Sequence, residues 1–88
     1  MRYAKRVDAN QDQIIIALRA AGASVWIISL PVDLLVGYKG HTFLVEIKTG
    51  SKERLTALQA DFFESWGGGT LVRIDSPDAA LRMIGVLK

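Results

Sequence analysis

Pro31-Val32-Asp33-Leu34-Leu35-Val36-Gly37-Tyr38-Lys39-Gly40-His41-Thr42-Phe43-Leu44-Val45-Glu46-Ile47-Lys48 is the stretch on which the fold turns. Two runs rich in β-branched and aromatic residues, 32–38 and 41–48, flank Lys39-Gly40, a short glycine-containing link of the kind that closes a hairpin. They are expected to pair antiparallel. With the turn at Lys39-Gly40, Tyr38 faces His41, Val36 faces Phe43, and Asp33 falls opposite Glu46. A symmetric four-residue loop keeps that register, whereas a three- or five-residue loop breaks it. Alternation along the second strand then puts Leu44, Glu46 and Lys48 on one face and Phe43, Val45 and Ile47 on the other.

Directly opposed residues on antiparallel strands have Cβ atoms about 5 Å apart. Asp33 and Glu46 would thus be two carboxylates side by side within apolar strands. Like charges there repel, unless the pair shares a proton or a divalent cation lies between them, and hard cations such as Mg²⁺ prefer oxygen ligands. Lys48, two residues beyond Glu46 on the same face, would add a cation able to hold a water or a phosphate oxygen. Two carboxylates, a metal and a lysine can hydrolyse a phosphodiester. Against this, Glu-x-Lys on a strand is usually a solvated ion pair, and an Asp just after a proline is often a turn residue.

Working outward, Ile14, Ala17, Leu18 and Ala21 recur at helical spacing over residues 8–21, with Asp8 or Asn10 as the cap and Gly22 as the stop. Residues 24–30 read as a strand that Pro31 terminates. After the hairpin, Leu55, Leu58, Phe62 and Phe63 mark a second helix that the glycines at 67–69 end. Residues 70–75 form a fourth strand, and Ser76-Pro77 opens a short final helix carrying Leu81, Ile84 and Val86. The order α-β-β-β-α-β-α predicts an α/β fold, a mixed sheet flanked by helices.

Two glutamines have divided readings. Gln11 shares the helical face of Ile14 and Leu18, so it either reaches a polar site or completes a capping box from Asp8. Gln59 either closes a capping box with Thr56 or points from the second helix toward a phosphate. His41 reads as an exposed turn residue, and Trp26, Phe62, Phe63 and Trp66 as core.

The 88 residues suit one small domain across 1–88 and leave no room for two catalytic ones. Half are apolar, none is cysteine, and eleven basic against nine acidic residues give a formal charge of +2. That balance permits a polyanionic partner without requiring one. Disulfides and thiolate metal sites are excluded. Arg2, Lys5 and Arg6 are followed by polar residues rather than an apolar run, so no signal peptide or membrane span is expected, and an intracellular location is.

Pro31-Val32-Asp33, twelve intervening residues and Glu46-Ile47-Lys48 resemble the PD-(D/E)XK nuclease signature, and the order of elements resembles that superfamily's restriction-endonuclease-like αβββαβ core. Within it the chain is most similar to VRR-NUC domains, especially the short stand-alone forms of phages and prophages. The resemblance implies that Asp33 and Glu46 are metal ligands joined by the Ile47 carbonyl, that Lys48 is the catalytic lysine, and that Gln59 belongs to the site. Gln11 stands where related junction resolvases have a glutamate, which implies a single-metal or water-mediated site. The literal Pro-Asp pair is interrupted by Val32.

The implied activity is that of a Mg²⁺- or Mn²⁺-dependent, structure-selective DNA endonuclease, a homodimeric Holliday-junction resolvase cutting four-way or other branched DNA. The implied place is the cytoplasm of a bacterial or phage-infected cell. Lys52 and Arg54 are the expected DNA contacts, with Arg2, Lys5 and Arg6 behind them. The alternatives are a general nicking or restriction-like endonuclease and a non-catalytic nucleic-acid-binding module of the same fold.

Overall fold

The computed structural model describes residues 10–48 and 55–88. Its elements run α1 (Gln11–Ala20), β1 (Ser24–Ile27), β2 (Leu34–Tyr38), β3 (His41–Ile47), α2 (Ala57–Ser65), β4 (Thr70–Ile74) and α3 (Pro77–Met83). The expected order of seven elements is met. The four strands form a single mixed sheet in the order β1-β2-β3-β4. β1 pairs antiparallel with β2 and β2 with β3, while β3 and β4 are parallel. A parallel pair needs a crossover, and the segment containing α2 supplies it.

The hairpin takes the expected register, from Tyr38 opposite His41 to Leu34 opposite Val45. Lys39 and Gly40 both have positive φ, 48° and 83°. That is the signature of a type I′ turn, whose twist matches the strands it joins and whose second position suits glycine.

One face of the sheet carries the core. Val25, Leu34, Val36, Val45, Ile47 and Ile74 project from it against Ile14, Ile15 and Leu18 of α1 and Ala80 of α3. The start of α3 is fixed by Ser76, whose hydroxyl accepts the Ala79 N–H at 3.1 Å, and by Pro77 at the first helical position.

Several expected boundaries move. β1 stops at Ile27 rather than at residue 30, because the chain turns at Ile28 and Ser29, whose N–H groups both donate to the Asp33 carbonyl. α3 ends at Met83, so Val86 lies beyond it, half exposed at 49%. Asn10, not Asp8, is the cap residue of α1, yet its side chain accepts no helix N–H, and its amide Nδ2 donates to the Asp75 carbonyl. Asp8 lies outside the described residues.

The aromatic residues correct the sequence reading. Trp26 is 71% and Trp66 42% exposed, while Phe62 and Phe63 are only half-buried. Trp26 alternates with buried Val25 and so points away from the core. Trp66 sits at the end of α2 with its indole N–H donated to the Gly69 carbonyl at 2.9 Å, a local bond that keeps the ring at the surface. His41 is exposed as expected. Among the described residues no helix is long and apolar enough to cross a membrane.

Candidate functional site

By strand alternation Glu46 and Lys48 leave β3 on the face opposite the core, where Gln59 of α2 meets Glu46. Asp33 lies one step beyond the last rung of the hairpin, Leu34 opposite Val45, and so comes level with Glu46. It is 6% exposed and Glu46 1%. Asp33 is held at both ends: its carbonyl accepts the Ile28 N–H at 2.9 Å, and its carboxylate Oδ2 accepts the Ile47 N–H at 2.8 Å. The side chain therefore substitutes for a strand rung and is aimed at β3 between Glu46 and Lys48.

Burying a carboxylate as fully as Glu46 is costly unless it is paired and hydrogen-bonded. Two groups meet that need, and both use the same oxygen. The Lys48 ammonium lies 3.2 Å from Oε2, with Lys48 itself 16% exposed. The Gln59 amide donates to Oε2 at 2.8 Å. Lys48 is held in place through its backbone, whose N–H donates to the Ile74 carbonyl at 2.9 Å.

For Gln59 the capping-box reading holds, and the same side chain also reaches Glu46. Thr56 caps α2 by accepting the Gln59 N–H at 3.2 Å, and the Gln59 Oε1 accepts the Thr56 N–H at 3.1 Å, which completes the capping box. That box consumes the amide oxygen and leaves the NH₂ group to reach Glu46. Gln59 is also the one buried residue of α2, so a polar contact ties this helix to the sheet.

Gln11 occupies the first position of α1 and is 6% exposed. Because Asn10 is the cap, Gln11 is not the third residue of a box from Asp8. The Asn10 bond to Asp75 anchors this end of α1 at the end of β4, beside the Ile47–Ile74 rung, and so brings Gln11 to the same end of the sheet as Glu46. Lys52, Arg54, Arg2, Lys5 and Arg6 lie outside the described residues.

Arg73 was not singled out from the sequence. In the parallel pairing it stands opposite Glu46, so its side chain leaves the sheet on the same face, and it is exposed. Strand alternation within residues 70–75 could have shown that Arg73 differs in face from Val72 and Ile74. The offset of a parallel pair joined by a helix could not be read, because no turn fixes it.

The donor set suits a hard divalent cation: two buried carboxylates, Glu46 on β3 and Asp33 just before β2, with the Ile47 carbonyl on the same strand as Glu46 and every candidate ligand an oxygen. Among the described residues no three His, Cys, Asp or Glu side chains come together, so a cation there would keep several waters, as Mg²⁺ commonly does. Comparison with models of known families, with curated proteins and with solved structures gives no match.

Proposed function

We propose that this protein is a Mg²⁺- or Mn²⁺-dependent DNA endonuclease with a restriction-endonuclease-like core, a single VRR-NUC-like domain of the PD-(D/E)XK type. The observation that carries the reading is the buried opposition of Asp33 and Glu46 with Lys48 3.2 Å from the Glu46 carboxylate. The Asp33 carboxylate does hold the Ile47 N–H, a bond that a neutral amide oxygen would accept without adding a second buried negative charge beside Glu46. A site for a cation and a phosphate has a use for that charge.

Asp33, Glu46 and the Ile47 carbonyl would hold the metal, which lowers the pKa of bound water and offsets the charge of the phosphate. The chain's own groups do the rest. Gln59 keeps Glu46 in one orientation by donating to its Oε2. The Lys48 ammonium, one face and one residue pair along, is placed to hold the attacking water or a non-bridging phosphate oxygen and to stabilise the extra negative charge of the transition state. Arg73, on the same face one strand over, is placed to meet a neighbouring phosphate. Water gives up one proton to solvent and adds to phosphorus, the bond to one ester oxygen breaks, and that oxygen takes a proton from solvent and leaves as a hydroxyl.

The substrate we propose is branched DNA, a four-way junction cut by a homodimer whose two sites match its two-fold symmetry, in the cytoplasm of a bacterial or phage-infected cell. A general nicking or restriction-like endonuclease uses the same centre. A non-catalytic DNA-binding module is favoured by one observation, an amide at Gln11 with no third acidic side chain beside the pair among the described residues.

The test is cleavage of a labelled four-way junction and a linear duplex of matched sequence, with Mg²⁺ or Mn²⁺, by wild type and Lys48→Ala. Paired junction cuts that vanish in Lys48→Ala support the resolvase. Equal cutting of both DNAs supports the general nuclease. The absence of metal-dependent cutting of either refutes the enzymatic reading.

A further inference from the structure

Helix α2 is unusually bare. Its one buried residue is Gln59, and beside it an open groove of about 420 Å³ is lined by Leu30, Pro31, Leu58, Asp61, Phe62 and Ser65. Leu30 and Leu58 are 67% and 65% exposed. Leu30, Pro31, Leu58 and Phe62 make most of this lining apolar, and contiguous exposed apolar surface is one mark of a binding site.

The walls of this groove are the segments that build the site. Pro31 precedes Asp33 by two residues, at most about 7 Å of chain. Leu58 adjoins Gln59, whose amide is 2.8 Å from Glu46. A ligand whose phosphate is held by the Lys48 ammonium therefore has the groove beside it, within reach of whatever that phosphate carries.

The lining says what that is. Asp61 is exposed in the groove, and its carboxylate repels a second phosphate but accepts a hydrogen bond from the exocyclic amino group of a cytosine or adenine. Leu30 and Leu58 offer apolar contact to a flat ring. Phe62, half-buried, adds an aromatic ring to the lining, and its position is fixed by Trp66, 5.2 Å away between ring centroids, and by Phe63 at 6.5 Å. Aromatic and apolar walls beside a phosphate site are how single-stranded nucleic acid is held, because every base has a face to stack. In a paired duplex those faces are already buried.

We infer that the groove receives an unpaired nucleobase next to the scissile phosphate, so that the enzyme selects DNA containing a locally unpaired nucleotide. This rests on the nuclease reading above and names the feature of the substrate that the site recognises. Selection then comes from Leu30, Leu58, Asp61 and Phe62 rather than from the carboxylates.

The experiment is equilibrium binding, in metal-free buffer, of two labelled DNAs: a fully paired duplex and the same duplex with a two-nucleotide bubble. Wild type is compared with Leu30→Ser and Leu58→Ser, which line the groove on separate segments and whose high exposure leaves the fold intact, as melting curves will check. The wild type should prefer the bubble by about tenfold, equivalent to about 1.4 kcal/mol, and both variants should bring the ratio close to one. Equal wild-type affinities, or a ratio unchanged in both variants, overturns the inference. Metal-dependent cutting of the same DNAs separates the two proposals: a bubble preference without cutting removes the hydrolytic reading and keeps the groove, and cutting without a preference does the reverse.

Discussion

Replacing Lys48 with Met keeps most of the side-chain volume and removes the ammonium from a carboxylate that is 1% exposed. At 3.2 Å and an effective dielectric of about 20, the attraction lost is about 5 kcal/mol. Part of it is recovered, because Lys48 keeps 16% exposure and the Gln59 amide still donates to the same oxygen. The expected loss of folding stability is about 3 kcal/mol, toward the low end for breaking a buried pair. In a Glu46→Gln background the charge is gone, and the same substitution should cost about 1 kcal/mol, leaving a coupling of about 2 kcal/mol. Urea denaturation of the four proteins in the cycle, without added metal, measures it. A coupling under about 0.5 kcal/mol is that of a solvated surface pair and would refute the claim that Lys48 and Glu46 form a desolvated centre.

Other substitutions probe the supports of the site. Thr56→Ala removes the acceptor for the Gln59 N–H and should lower stability by about 1 kcal/mol, seen as a fall of roughly 4–8 °C in the thermal midpoint of a domain this size. Cleavage should fall with it, because the helix start that aims Gln59 at Glu46 loosens. Leu34→Ala, at a side chain with no exposed surface next to Asp33, should cost about 3 kcal/mol in chemical denaturation. Arg73→Ala should weaken DNA binding evenly across sequences and reduce the slope of log affinity against log salt by about one. An unchanged slope would mean that Arg73 does not meet a phosphate.

Much of this arrangement is legible in the residues because a hairpin is a local device. Lys39-Gly40 fixes the turn, the turn fixes the register, and the register puts Asp33 level with Glu46 without reference to the rest of the chain. Gln59 was legible as a capping residue, while the donation of its amide nitrogen to Glu46 was not, because that contact depends on where α2 lies against the sheet. Arg73 was hidden because the parallel β3–β4 offset depends on how α2 packs. Trp26 was misjudged for another reason: Val25, Trp26, Ile27 and Ile28 form a continuous apolar run, and period-two alternation cannot be read where every residue is apolar. Exposure of Trp26 and Ile27 follows from β1 being at the edge of the sheet.

The central claim is that Asp33 and Glu46 are opposed in order to hold a divalent cation, and calorimetric titration of Mn²⁺ into the protein tests it most directly. Saturable binding in the wild type, lost in Asp33→Asn and in Glu46→Gln while both variants stay folded, is the predicted result. No saturable binding in the wild type, or equal binding by the Asp33→Asn protein, would contradict it.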